Sequence, residues 1–437
     1  MENIRALIIT KYFPPDLEAR SLQIGKVSHA MMRNQCEVLV VAGLKDECSR
    51  AESVQNEKLS NLVQYVPYKQ CTKASTFIGR VWKRLALELN SSNPRNRWVD
   101  DAFAAALQLI KGYAPHVLVT SSMPFDSHLV GLQLKKCTNI PWVASFSDPW
   151  PPRICLPPYD THRIPVFEQW QMLLLRRVLN SCDAVHMPNR QALELMESAS
   201  RISIKSKAWA IPHIGSKITY HDDESQMGWL THIGAFTRER VSPSLLDAVK
   251  ITARKIPNQF KGLLLVGFVC PELRSLIKKM KLEPYVRISG SVSQDKAMSI
   301  AANSSALLVI EANMPMSPFL PSKFADYAQV GRPIIALTPQ NSPIRDYLNT
   351  YGGGCAVSHN VDEISRAFES VFSDSMNAAP SARISNNCTL GDIFSGDTVA
   401  ERYLDMFRTL QKERINGSTI SICNEPTQPV FSSNLRT

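Results

Sequence analysis

Short runs of β-branched and aliphatic residues recur along the whole chain, each separated from the next by an amphipathic stretch or a turn. That alternation specifies parallel sheets covered by helices on both faces, because strands buried on both sides read as continuous apolar runs. At 437 residues the chain exceeds the size at which a single hydrophobic core stops growing, so two domains are expected.

In the first half the pattern predicts strands at residues 6–10, 37–43, 117–121, 142–146, 184–188 and 208–214. Helices are predicted at 21–34 and 166–179, and another places Trp98, Ala102, Ala105 and Leu109 on one face. A polar stretch then carries little that can be buried, and the alternation restarts with strands at 229–233, 263–266, 286–289, 306–310 and 333–337. The expected organisation is an α/β domain over 1–214, a linker over 215–226, a second α/β domain over 227–396, and a final helix over 397–414. Beyond it, 415–437 is rich in Ser, Thr, Asn and Pro and is expected to be a disordered tail.

Lys and Arg outnumber Asp and Glu by 49 to 39. Such an excess suits nucleic acid or an anionic membrane. The densest basic stretch, 69–97, sets Arg80, Lys83, Arg84 and Arg95 among Phe77, Val81, Trp82 and Leu85, a composition that suits an interfacial amphipathic helix. No recognised nucleic-acid motif accompanies the charge, so nucleic acid is not expected as a partner. Ten cysteines are scattered without a zinc or disulfide spacing, which fits reduced thiols. The start of the chain runs directly into a strand-like segment, and no apolar run is long enough to span a bilayer, so a cytoplasmic location is expected.

Loops at the carboxyl ends of parallel strands are where ligands of open α/β sheets bind. The first such loop is Lys11-Tyr12-Phe13-Pro14-Pro15-Asp16, stiffened by its prolines and followed by a helix. The dinucleotide fingerprint G-x-G-x-x-G is absent, which counts against a nicotinamide enzyme. At 321–332 the chain reads Pro-Ser-Lys-Phe-Ala-Asp-Tyr-Ala-Gln-Val-Gly-Arg, a helix start at Ser322 with Gly331 as its stop. Free N–H groups and a positive dipole there suit a diphosphate, Lys323 adds a compact charge, and Asp326 one turn on can accept from ribose hydroxyls. After the first strand of the second half, the fork of either Arg238 or Arg240 suits bidentate phosphate contact. Asp148, rigidly presented before Pro149-Trp150-Pro151-Pro152, can bind or activate a hydroxyl. No Asp-x-Asp pair occurs to clamp a diphosphate through metal, and no metal or other cofactor is expected.

The segments Tyr12-Phe13-Pro14-Pro15, 121–128, 141–150 and above all 321–336 resemble the retaining glycosyltransferases often called family four, of GT-B fold, in their bacterial surface-polysaccharide branch. The resemblance implies two Rossmann-like domains facing across a cleft, with the last helix crossing back to the first. It implies transfer, with retention, from a nucleotide-diphosphate sugar to a glycan acceptor; the basic and apolar stretch near Trp82 points further to a lipid-linked acceptor at the cytoplasmic face of a membrane. Donor binding then falls to Pro321, Ser322, Lys323, Asp326, Arg238, Arg240, Gly267 and Glu311, and the acceptor side to Pro15, Asp16, His128 and Asp148. Lys323, Arg240 and Asp148 carry the chemistry. Where family members carry a first Glu, this chain has Pro318, and Asp326 replaces the second. Two alternatives stay open: an inactive relative that binds nucleotide sugars, and a nucleotide-sugar 2-epimerase of the same fold.

Overall fold

The computed structural model describes residues 3–16, 18–45, 62–68, 97–160, 165–216, 226–377 and 388–416. Most of the basic stretch 69–97, the linker positions 217–225 and the tail from 417 onward lie outside the described residues.

Two wholly parallel sheets form the frame. The first contains β1 (Ile4–Thr10), β2 (Cys36–Lys45), β3 (Val63–Tyr68), β4 (Val117–Ser121), β5 (Trp142–Ser145), β6 (Ala184–Met187) and β7 (Ala208–Ala210), in the order β3-β2-β1-β4-β5-β6-β7. The second contains β8 (Gln226–Ile233), β9 (Gly262–Val266), β10 (Val286–Gly290), β11 (Ser304–Ile310), β12 (Ile334–Leu337) and β13 (Gly354–Val357), in the order β10-β9-β8-β11-β12-β13. Central strands such as β4, β9 and β11 are buried at every residue, as continuous apolar runs covered on both faces must be.

Two strands were not anticipated, β3 and β13, and both lie at sheet edges. β3 carries Pro67, which an edge strand tolerates because one of its ladders is missing. β13 reads Gly-Cys-Ala-Val and has little apolar signal. The strand expected over 208–214 ends at Ala210. The Ile211 amide still donates to the Met187 carbonyl, but the strand stops there.

The final helix, Gly396–Asn416, runs two residues into the expected tail. Its Val399, Ala400, Tyr403, Leu404, Met406, Phe407 and Leu410 join Ile4, Ile8, Val117 and Val143 of the first sheet in one core. Just before it, Leu390 and Phe394 belong to the core of the second sheet with Phe324 and Ile344. The two chain crossings between the sheets touch, since the Gly215 amide donates to the Phe394 carbonyl at 2.9 Å. A Cβ on Gly215 would stand 2.4 Å from the Ala325 carbonyl oxygen, so the close approach requires glycine.

Candidate active site

Between the two sheets lies a cavity of about 190 Å³, lined by Asp148 and Tyr159 from the first half and by Arg240, Glu311, Ser317, Phe319, Leu320 and Pro321 from the second. Cross-domain contacts hold its walls. The Tyr159 ring meets Phe319 edge-on at 4.9 Å, and its hydroxyl feels the Arg240 guanidinium. Asn189 donates to the Pro318 carbonyl at 2.9 Å.

The second-domain wall is built on a row of loop glycines. Gly234 follows β8, Gly267 follows β9 and Gly290 ends β10. The Gly234 amide donates to Val266 and the Gly267 amide to Gly290, both at 2.7 Å. Gly267 holds φ at +121°, and a Cβ there would lie 2.7 Å from the Gly234 oxygen. Gly234 in turn leaves room for Lys323, whose Nζ would stand 3.3 Å from a Cβ at that position.

Lys323 sits in the first turn of the helix Ser322–Val330, whose N-cap residue Pro321 supplies no side-chain cap and whose first turn holds no acidic residue. The positive end of the helix is therefore uncompensated. The Lys323 ammonium lies 3.1 Å from His232 Nε2. His232 Nδ1 lies 3.0 Å from the Leu308 carbonyl, so the proton belongs on Nδ1 and Nε2 offers its lone pair to Lys323. Burial, followed by the nearby Arg240 guanidinium, holds the Lys323 pKa well below the ordinary lysine range. The site stabilises an ammonium poorly until an anion arrives.

The geometry separates the two arginines left open by the sequence. Arg238 is exposed and turns toward Glu272, 3.9 Å away. Arg240 lines the cavity, donates from Nη1 to the Ala235 carbonyl at 3.2 Å, and holds its Nε–H buried without a hydrogen-bond partner among the described residues. An orphaned buried N–H on a charged fork marks the place of a missing acceptor.

Asp326 departs from expectation. Its Oδ1 accepts from Lys26 at 2.9 Å and from the Ser216 amide at 2.7 Å, so the carboxylate faces the interdomain crossing. Lys26 and Asp326 thus form a domain-to-domain ion pair. His128 also departs. It is fully buried, 2.7 Å from Thr120 Oγ1 and packed against Phe146, and burial pushes its pKa down to about 3. Its Nε2 is buried without a hydrogen-bond partner among the described residues, and the ring does not line the cavity.

Asp148 keeps solvent access at the cavity wall, yet protein surrounds it and raises its carboxyl pKa, with a Ser147 hydrogen bond and the charges of Arg20 and Arg240 opposing the rise. Glu311 is buried and accepts from the Ser317 and Ser342 hydroxyls; burial pushes its pKa up to about 7. Pro15 and Asp16 shape the turn into the helix Ala19–Arg33, where the Asp16 amide donates to Phe13, and neither lines the cavity. Tyr159 and His232 are site residues that sequence reasoning missed as such. Each is defined by a partner distant in the chain, and no local motif announces it.

No family profile and no curated protein sequence matches the chain. Among solved structures, a sucrose-phosphate synthase from Thermosynechococcus elongatus superposes with a TM-score of 0.64 at 14% identity, covering 95% of this chain and 100% of that one. A Staphylococcus aureus TarM mutant, in complex with fondaparinux, α-GlcNAc-glycerol and UDP, gives 0.61 at 9% identity, covering 92% and 99%. A Listeria monocytogenes protein described as a putative UDP-N-acetylglucosamine 2-epimerase gives 0.51 at 11% identity, covering 96% and 98%. The chain thus has the two-domain α/β architecture of GT-B-like proteins. Glycosyltransferases and epimerases both occur among its structural neighbours.

Proposed function

We propose that the protein is a glycosyltransferase that moves a sugar from a nucleotide-diphosphate sugar to an acceptor hydroxyl. One observation carries the reading: Arg240, with its orphaned Nε–H, and Pro321, at the uncapped helix start that carries Lys323, line one cavity with Asp148. In this reading the acceptor oxygen bonds to the anomeric carbon as the bond from that carbon to the donor phosphate oxygen breaks. The electron pair leaves on the nucleoside diphosphate. Lys323, Arg240 and the helix dipole stabilise the charge that develops there, and Asp148 orients the acceptor hydroxyl, whose proton passes toward the departing phosphate. Transfer with retention, a surface-polysaccharide or glycolipid acceptor, and association with a membrane face belong to the same proposal. They rest on the resemblance of 321–336 and on the basic stretch 69–97. No helix among the described residues is long and apolar enough to cross a membrane.

The 2-epimerase reading stands second, favoured by the epimerase among the structural neighbours. An epimerase converts its donor with no acceptor present, so product analysis of donor alone separates the two.

The primary test is a thermal-shift panel of UDP, GDP and ADP with their common sugar conjugates. A ligand at a hundred times its Kd stabilises the native state by roughly 2.7 kcal/mol. One nucleotide is expected to shift the wild type, and Lys323→Ala is expected to abolish most of that shift. Turnover of the variant should fall about 10²–10³-fold, the usual cost of one lost charge-stabilising donor, while its melting temperature without ligand holds. Silence across the panel, or undiminished turnover in the variant, overturns the proposal.

A further inference from the structure

A second cavity, of about 200 Å³, lies in the second domain between the helix Gln294–Asn303 and strands β9 and β10. It shares no residue with the cavity that holds Asp148 and Arg240. Gln226, which opens β8, and Asn303, which precedes β11, both line it, so it reaches toward the amino ends of the strands, away from the loops of Gly234 and Gly267. Its apolar lining is Leu264 and Ile300, part of a small cluster with Trp229 and Val266. Two cations, Arg287 and Lys296, stand among its polar residues, and no carboxylate lines it among the described residues.

The helix contributes Lys296, Ser299, Ile300 and Asn303, whose spacing places them on one face. On the sheet side, parallel register pairs Leu264 of β9 with Arg287 of β10, which puts both on the same sheet face. The Arg287 guanidinium lies over the Trp229 ring, 4.8 Å from its centroid. Stacking uses the flat side of the guanidinium and leaves its in-plane N–H fork available. Among the described residues that fork has no hydrogen-bond or ion-pair partner. Ser299 supplies a second, independent signal. It is 4% exposed, and its Oγ is buried with no hydrogen-bond partner among the described residues. A helical serine commonly returns its hydroxyl to the carbonyl four residues back, as Ser28 does to Ile24 at 2.8 Å. Ser299 does not, and a buried hydroxyl left unpaired is costly until something in the cavity bonds it.

We propose that this cavity is a binding site for a small phosphate ester, separate from the catalytic cleft. The Arg287 fork and the Lys296 ammonium take the phosphate dianion, Ser299 donates to it, and the organic part lies against Leu264 and Ile300. At about 30 Å³ per water the cavity holds roughly seven water volumes, room for a phosphate with a short polyol. The site does not depend on the transferase reading.

The test uses the full chain with glycerol 3-phosphate and inorganic phosphate as probes, read by thermal shift and calorimetry with the nucleotide from the panel present at saturation. Glycerol 3-phosphate is expected to add an increment to the melting temperature. Arg287→Met keeps an apolar stem over Trp229 and removes the fork, and should weaken that binding roughly tenfold or more while leaving the nucleotide shift intact. Ser299→Ala should weaken it too, yet hold or raise the melting temperature without ligand, because it removes an unpaired buried hydroxyl. No increment in the wild type, or an affinity unchanged in both variants, overturns the proposal. So does binding lost in Lys323→Ala and kept in Arg287→Met, which would put the anion in the catalytic cleft. Inorganic phosphate bound as tightly as glycerol 3-phosphate would remove the ester from the assignment. Asp222, Asp223 and Glu224 precede Gln226 in the chain and lie outside the described residues. If binding appears only in the triple variant Asp222→Asn, Asp223→Asn, Glu224→Gln, the cavity is reserved for the chain's own carboxylates and the proposal falls. If no nucleotide in the panel binds, the transferase reading falls alone, and Arg287→Met is compared with Lys323→Ala without nucleotide to decide the site.

Discussion

Glu311 illustrates what a single residue contributes at this site. Its carboxyl is buried against Ser317 and Ser342, and the folded pKa of about 7 stands above the ordinary value of 4.5. A raised acid favours the protonated folded form. The associated stability is complete below the unfolded value and is lost as pH rises from 4.5 through 7, on the order of 3 kcal/mol in total. Glu311→Gln removes the titration, so the urea midpoint of the wild type should fall relative to the variant between pH 5 and pH 8, and parallel midpoints would contradict this account. Lys323 and the helix start were legible in the sequence because a contiguous segment encodes them. The Lys323 partner, His232, lies 91 residues away, and the selection of its tautomer by Leu308 depends on two strands meeting in space. The Asp326 partner is hidden for the same reason: Lys26, which bonds its carboxylate, lies across the domain junction.

At the scale of elements, the central strands were legible from apolar runs and the edge strands β3 and β13 were not, because half-paired strands need less burial and carry less signal. The glycine row at the ends of β8, β9 and β10 sets how closely those loops stack, and so fixes the floor beneath Lys323. Gly267→Ala places a Cβ against the Gly234 carbonyl oxygen at 2.7 Å and forces a side chain into φ of +121°. Left-handed backbone and steric displacement together should lower stability by roughly 2–5 kcal/mol. Nucleotide affinity should fall with it, as the Gly234 loop shifts away from Lys323. Chemical denaturation together with nucleotide titration checks both effects, and a variant of native stability would show that the loops are free to separate.

For the whole molecule, the decisive element is the helix Gly396–Asn416, which starts beside the second core and completes the first. Seven of its side chains are buried there, and Val399, Leu404, Met406, Phe407 and Leu410 among them contribute about 1.5–3 kcal/mol each. Together they exceed or match the net stability of a typical domain, roughly 5–15 kcal/mol. A chain ending at Ser395 should therefore lose the cooperative melting of its first domain and most of its soluble yield; a soluble truncated protein with an intact transition would refute this. The apolar stripe of this helix was readable in the sequence, whereas the sheet it covers is a tertiary fact that the family resemblance implied and periodicity alone did not show.

That arrangement bears on how the protein is made. The strands of the first sheet are all synthesised by Ala210, but the helix that seals one of its faces ends at Asn416. At ordinary elongation rates of about 5–20 residues per second, the ribosome needs roughly 10–40 s to cover the distance. Throughout that interval Ile4, Ile8, Val117 and Val143 lack their cover, and the nascent chain is a client for whatever in the cell shields bare apolar surface.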